Sequence, residues 1–233
     1  RARVIVPLSG SAAAQENAAL AAVQFQGAKI EPGESLSFNQ TVGMRTEESG
    51  YTAAEEPAYG QNIVGVGGGI CQVSTALYRL ALLGGLEIAE RSAAVYPVDY
   101  CEIGQEAAVS DQGLDLVLTN NTDSPLFLVV RVYAENDGQT MEWQLIGKEN
   151  ESRFSLVSEV ETIDAPEEPV YVPDSEGRYA TYADERIPVS EARPGYRATV
   201  SLVDENGETV RVVSEDTYDA MAQIVYVGVQ QRN

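Results

Sequence analysis

The run Gly65-Val66-Gly67-Gly68-Gly69-Ile70-Cys71-Gln72-Val73-Ser74-Thr75-Ala76-Leu77-Tyr78 hands a thiol from a glycine-rich turn to a helical pattern. After Gly69, the residues Ile70, Val73, Leu77, Leu80 and Ala81 recur on one helical face, and Gly84-Gly85 supplies a stop. This spacing predicts Cys71 at or beside the helix N-terminus. There, free backbone N–H groups and the positive end of the helix dipole favour an anion, one recognised way to bring a thiol down from about 8.5 towards neutrality. The amides around Gly68, Gly69 and Gln72 are the candidate donors to a developing oxyanion, and three glycines leave no side chains in a substrate's path. The implied chemistry is that of a nucleophilic thiol.

The chain has no histidine, the usual base for such a thiol. Three residues are candidates for proton handling: Asp99, Tyr100 and Asp115. An acidic neighbour alone raises a thiol pKa, so an aspartate helps only by orienting another group or relaying a proton. Arg45, Arg79 and Arg91 are the candidates for stabilising a thiolate. Arg45 has a second role open to it, because arginine grips carboxylates with two parallel hydrogen bonds; the bland alternative is a solvated cation. Asn39, Ser74 and Thr75 complete the candidate substrate-binding set, against capping and packing for the two hydroxyl residues. The second cysteine, Cys101, leaves a structural disulfide with Cys71, or thiol redox chemistry, as alternatives, although there is no Cys-x-x-Cys pair. Without histidine, two cysteines make no zinc pattern, so no metal and no cofactor is expected.

These residues need elements to hold them. Residues 11–26 are alanine-rich and predict a helix capped by Ser9 or Ser11 and stopped at Gly27, with Leu20, Val23 and Phe25 facing the domain. A short alternating segment, Ser35 to Phe38, leads to Asn39, and residues 47–62 read as a loop or hairpin forming one wall of a cleft. Leu86 to Glu90 is short and extended. Residues 113–147 read as antiparallel sheet: Leu114 to Leu118, a turn at Asn120 to Pro125, Leu126 to Tyr133, a turn at Glu135-Asn136-Asp137-Gly138, and Thr140 to Ile146 with Trp143 in phase. The composition shifts at Gly147 to Glu151, and Asp164 to Pro169 is an acidic, proline-punctuated linker. Beyond it the pattern is all β, with Arg197 to Val203, a Glu205-Asn206-Gly207 turn, Thr209 to Val213 and Ile224 to Val229.

The motif Gly-Val-Gly-Gly-Gly-Ile-Cys-Gln-Val-Ser-Thr-Ala-Leu-Tyr, preceded by Glu31-Pro32-Gly33-Glu34-Ser35-Leu36-Ser37-Phe38-Asn39 and Val42-Gly43-Met44-Arg45-Thr46, resembles the VanW family of bacterial cell-envelope proteins over residues 28–150. The resemblance implies an α+β fold. A VanW-type domain spans 1–150 (core 28–150, N-terminal helix 11–26), with a central helix after the glycine turn packed on antiparallel sheet. A linker and a small all-β module, similar to the G-five module, fill 151–233. The family was named from glycopeptide-resistance clusters, and some members are cysteine-dependent L,D-transpeptidases, which makes Cys71 the nucleophile and peptidoglycan stem peptides the partner. The family's recurring cysteine is the one at Cys71. Members commonly carry histidines between the equivalents of Arg91 and Pro97, and this chain departs from them there. Its relatives imply an export signal or membrane anchor upstream of Arg1, and an extracellular, cell-envelope location in a Gram-positive bacterium.

Charge excludes other classes. The net charge is −21, with 19 acids and 8 bases in residues 1–150 and 17 and 7 in residues 151–233. Such a surface repels nucleic acid and anionic lipid, so neither is expected as a partner, and membrane association comes only through an upstream anchor. The 44% hydrophobic content is enough for a real core. Two functions remain: a cysteine acyltransferase, or a non-catalytic peptidoglycan-binding scaffold that keeps the cleft without turnover.

Overall fold

Period-two alternation in the N-terminal segment and around Trp143 builds one sheet with a single buried face, and that sheet carries the helix bearing Cys71. The computed structural model describes residues 1–58, 61–135, 138–149 and 153–232. The elements run β1 (Ala2–Pro7), α1 (Ala12–Val23), β2 (Lys29–Ile30), β3 (Ser35–Ser37), α2 (Phe38–Val42), β4 (Ala53–Ala58), β5 (Gln61–Val66), α3 (Cys71–Gly84), β6 (Glu87–Glu90), β7 (Val117–Thr119), β8 (Leu126–Glu135) and β9 (Gly138–Ile146). They continue with β10 (Ser155–Ile163), β11 (Val170–Asp174), β12 (Arg186–Pro188), β13 (Gly195–Val203), β14 (Thr209–Tyr218) and β15 (Ile224–Gly228). The fold is α+β, mostly sheet with few helices.

The main sheet has the order β1-β9-β8-β2, antiparallel throughout. Val4 and Val6 of β1, Leu128 and Val130 of β8, and Met141, Trp143 and Leu145 of β9 turn inward and are buried. Against this face lie α1 and α3. Trp143 packs on Phe25, ring centroids 5.5 Å apart, and Phe25 on Phe38 at 5.3 Å. α3 is buried on nearly every side, from Val73 to Leu82, as a helix enclosed by its domain must be, and it ends at Gly85 in the left-handed conformation (φ 74°).

α1 is capped by Ser11, whose Oγ accepts the Ala14 N–H at 3.3 Å. It packs through the stripe Ala14, Ala18, Ala21 and Ala22; of the three residues expected to face the domain, Leu20 packs against the core and Phe25, just past the helix, is buried, whereas Val23 is exposed. Methyl-sized contacts let α1 approach closely, and the carbonyl of Ala14 occupies the space a Cβ on Gly69 would need. With φ at 99° as well, position 69 admits only glycine. The β4–β5 ribbon leads directly into this turn; Tyr59 and Gly60, in the expected hairpin, lie outside the described residues, as do Asn136 and Asp137 of the second turn. A third sheet, β3-β7-β6, flanks α2. Its strand β7 begins only at Val117, not Leu114, because Asp115 is held beneath α2.

Two compact units divide the chain: Arg1–Ser158 with Thr199–Ser214, and Glu159–Ala198 with Glu215–Asn233. A single boundary at 150/151 therefore does not describe the chain. The 199–214 hairpin belongs with the first unit, where Leu156 and Val213 pack on the main core. In the second unit β15 pairs with β11 in parallel and with β12 antiparallel. Its buried Asp174 accepts the N–H groups of Ala180 at 2.9 Å, Tyr179 at 2.6 Å and Arg178 at 3.1 Å. Those backbone bonds, Ala180's first, hold the carboxyl below the usual aspartate range.

Candidate functional site

Cys71 is the first residue of α3, after Ile70, which offers no side-chain cap. Its thiol is half-buried and donates to the carbonyl of Val109 at 3.6 Å. No disulfide joins Cys71 to Cys101. The sulfur lines a cavity of about 380 Å³ whose walls come from the β1–α1 connection (Ser9, Gly10, Ser11), from Glu55 and Gly69, and from the irregular segment Ala94 to Tyr100 with Ala108 and Val109. The lining is largely apolar; its charged members are Glu55 and Asp99, and it includes no lysine or arginine among the described residues.

The turn before Cys71 is wound tighter than an open amide cradle. Gly68 N–H donates to the carbonyl of Gly65 at 3.4 Å, Ile70 N–H to Gly67 at 3.4 Å, and Gln72 N–H to Gly69 at 3.2 Å. Bonds of this i to i−3 type satisfy helix-start donors that are otherwise open. The amides of Gly68 and Gln72, expected to face an oxyanion, are thus engaged within the chain. Gly69 remains a wall of the cavity.

The side chains after Cys71 position the walls. Gln72 is buried, and its Oε1 accepts the N–H of Ser9 at 2.8 Å while its Nε2 donates to the Ser9 carbonyl at 3.2 Å, fixing the β1–α1 connection. The Ser74 hydroxyl donates to the carbonyl of Ala107 at 2.6 Å, and Thr75 Oγ1 accepts the N–H of Ala107 at 3.0 Å. Two successive hydroxyls therefore clamp Ala107, the residue just before the wall residues Ala108 and Val109 and two positions before the carbonyl that the thiol meets. Ser74 and Thr75 are not part of the cavity lining.

Arg45, expected to hold a substrate carboxylate, and Asn39, expected in the substrate-binding set, are committed elsewhere. The Arg45 side chain is 6% exposed; its Nε meets Asp111 Oδ1 at 2.8 Å, and its guanidinium donates to Asn39 Oδ1 at 2.7 Å. Asn39 in turn donates to the carbonyls of Leu114 at 2.8 Å and Ser110 at 3.2 Å. The network ties the segment after α2 to the approach to β7. Asp115 also leaves the proton-handling set: its Oδ1 accepts the N–H groups of Asn39 at 2.9 Å and Leu116 at 2.8 Å, and its Oδ2 the hydroxyl of Ser37, the cap of α2. Asp99 and Tyr100 do line the cavity, Asp99 exposed and Tyr100 half-buried.

Cys101 is pushed up to about 12, by burial first and then by the charge of Glu106, with Arg79 and Arg91 pulling the other way. Its thiol stays protonated across the neutral range. The Arg91 guanidinium donates to the carbonyls of Glu106 at 2.6 Å and Gly104 at 3.1 Å and lies over Tyr78 at 5.3 Å.

Two positions escape the sequence reading. Asn17 is a buried polar residue within the alanine stripe of α1; its Nδ2 donates to the carbonyls of Gly68 at 3.0 Å and Thr52 at 2.9 Å, bolting the glycine turn to the helix. A lone amide in an apolar stripe is the signal that marks it. Glu106 is fully buried, and its carboxylate accepts the N–H groups of Gly104 at 3.1 Å and Ala94 at 3.3 Å, closing the loop that walls the cavity.

Residues 13–144, which span the glycine turn and the helix that begins at Cys71 and make up more than half of the chain, match the family described as VanW like protein, and the chain belongs to it. It is 36% identical over 125 residues to the uncharacterized protein YoaR of Bacillus subtilis (strain 168), a match covering 54% of this chain and 41% of YoaR. It is 33% identical over 112 residues to the vancomycin B-type resistance protein VanW of Enterococcus faecalis (strain ATCC 700802 / V583), covering 46% of this chain and 41% of that protein. The matches thus span about two fifths of each relative. Among solved structures, HP0197-G5 aligns with 33% of the chain at 14% identity and a TM-score of 0.15, too slight a likeness to assign a fold.

Proposed function

We propose that this chain acts outside the cell membrane, in the envelope, as a cysteine acyltransferase of the L,D-transpeptidase type on peptidoglycan stem peptides. The observation that carries this reading is the Cys71 sulfur at the N-terminus of α3, lining a cavity large enough for part of a peptide. The position at a helix start is one that stabilises negative charge on a thiol. The Cys71 thiolate attacks the carbonyl carbon of the third stem residue. The C–S bond forms, the C–N bond to the terminal D-amino acid breaks, and the departing amine takes a proton. An acceptor amine then attacks the thioester, forming the new amide and returning the thiolate. The name of the Enterococcus relative, a vancomycin-resistance protein, agrees with action on wall precursors.

One observation favours a second reading, a non-catalytic wall-binding protein. Among the described residues, the cavity lining carries no basic side chain, and Arg45 is held by Asp111 rather than presented to a stem-peptide carboxylate. Incubating the protein with tetrapeptide-bearing muropeptides separates the two. The acyltransferase reading expects cross-linked dimers and released D-amino acid from the wild type and neither from Cys71→Ala. Binding without either product from the wild type would establish the second reading instead.

A further inference from the structure

Three side chains on one face of α3 meet a single short stretch of backbone. Cys71, Ser74 and Thr75 stand three and four residues apart on the helix, and residues 107–109 run alongside them. Thr75 Oγ1 accepts the Ala107 N–H at 3.0 Å, the Ser74 hydroxyl donates to the Ala107 carbonyl at 2.6 Å, and the Cys71 thiol donates to the Val109 carbonyl at 3.6 Å. Between them the Ala108 N–H serves a different partner, the carbonyl of Ser92, at 2.8 Å. This is the alternation of an extended chain, in which backbone groups two residues apart face the same side, so fixing Ala107 also fixes where the Val109 carbonyl stands. Ser74, Thr75 and Ala107 are all buried, and losing either hydroxyl there leaves a dry polar group behind.

We propose that Ser74 and Thr75 are positioning residues for the nucleophile: by gripping Ala107 they hold the Val109 carbonyl where it takes the Cys71 S–H, a role in catalysis that rests on the acyl-transfer reading above. The sulfur is thereby both aimed and restrained. With its proton turned to the wall, its lone pairs face the cavity that it lines. The carbonyl bonds the neutral thiol and repels a thiolate, so it opposes the pull of the helix start and keeps the resting thiol protonated. In the acyl-transfer step the S–H bond breaks first and its proton passes to water. The C–S bond then forms, the C–N bond breaks, and the departing amine takes a proton from water.

The test sets two reactions at the same sulfur against each other, each followed at Cys71 by peptide mapping. Iodoacetamide is small, needs little alignment and reports the thiolate fraction, whereas a carbapenem is acylated onto the sulfur only from the aligned position. In Ser74→Ala and Thr75→Val the midpoint of the pH profile of alkylation is expected to fall by about half to one pH unit, the size of one hydrogen bond to the neutral thiol. Acylation per folded molecule is expected to slow about 10²-fold, as for a misplacement of roughly 1 Å. Thr75→Ser, which keeps the hydroxyl, is expected to restore both. The titratable groups that line the cavity, Glu55, Tyr96, Asp99 and Tyr100, are the same in all these proteins, so a shifted midpoint belongs to the clamp. An unmoved midpoint in either folded variant, or acylation that rises along with alkylation, overturns the assignment. Should neither variant fold, the wild type decides: its infrared spectrum less that of Cys71→Ala is expected to hold an S–H stretch below the free-thiol frequency at neutral pH, and a free-thiol frequency or no band overturns the assignment. A wild type that alkylates with the expected profile but takes neither a carbapenem nor a tetrapeptide donor overturns the acyl-transfer reading, and with it the role in catalysis, while the bond to Val109 stands.

Discussion

Glu106→Ala removes the carboxylate that closes the cavity wall, and its consequence can be worked from the geometry. The side chain is 1% exposed and lies 3.5 Å from the Arg91 guanidinium, itself 8% exposed. It also satisfies the N–H groups of Ala94 and Gly104, at the two ends of the loop that carries Tyr96, Asp99 and Tyr100. Deleting one partner of a buried ion pair costs about 3–5 kcal/mol, because the other charge remains desolvated. Each newly orphaned amide adds roughly 1–3 kcal/mol where water cannot reach it. The Arg91 bonds to backbone carbonyls persist, so the ion-pair cost falls to about 2 kcal/mol; with each amide at the low end of its range, the expected total is about 4 kcal/mol, a large share of the roughly 5–15 kcal/mol that holds a domain together. At about 2–4 °C per kcal/mol, the melting temperature should fall by roughly 8–16 °C. Urea unfolding followed by Trp143 fluorescence measures the loss, and limited proteolysis should cut between residues 94 and 104 before the core opens. Replacing both partners, Glu106→Leu with Arg91→Leu, should recover part of the stability, since an apolar pair leaves no buried charge. A loss below about 1 kcal/mol for Glu106→Ala would refute the view that this carboxylate is what closes the wall.

Three further outcomes are expected. Arg45→Met should lower stability by about 2–4 kcal/mol, discounting the buried-pair figure because Asp111 is one-fifth exposed, while leaving carbapenem acylation per folded molecule within about twofold; a selective rise in substrate KM without destabilisation would restore Arg45 to the substrate site. Cys101→Ser should leave Cys71 acylation unchanged, and alkylation of Cys101 in the folded protein should stay slow at pH 8 and accelerate only as pH nears 12; peptide mapping of the alkylated protein reads both. In Asp174 the folded pKa lies below the unfolded one, so the unfolded state binds the proton more readily and stability falls as pH drops. The contribution is present above the unfolded value of about 3.9 and is lost as pH falls through the lower folded value. Asp174→Asn should therefore destabilise the second unit at pH 7 and flatten its acid limb; a thermal melt series from pH 7 to 2 shows it.

The sequence speaks clearly where structure is local. Three glycines followed by a 3.6-residue apolar repeat place Cys71 at the start of α3, and alternation around Trp143 marks β8 and β9. It is silent where partners are distant. Asp111 lies 66 residues from Arg45, and Asp115 76 residues from the amide of Asn39; no periodicity links them, so buried structural groups pass for exposed functional ones. The segment from Arg91 to Leu116, with Glu106 at its centre, has little repeating structure, and its order comes from buried polar bonds rather than pattern. The tight winding of the turn before Cys71 depends on hydrogen bonds between glycine amides and carbonyls, which composition does not encode.

The central claim is that Cys71 forms a thioester with a stem peptide. Rapid acid quenching of the protein with a tetrapeptide donor, followed by intact and peptide-level mass spectrometry, tests it most directly. The expected result is a mass gain equal to the donor's mass less that of the released D-amino acid, confined to the peptide containing Cys71 and absent from Cys71→Ala. An adduct on another residue, or donor turnover by Cys71→Ala at the wild-type rate, would contradict it.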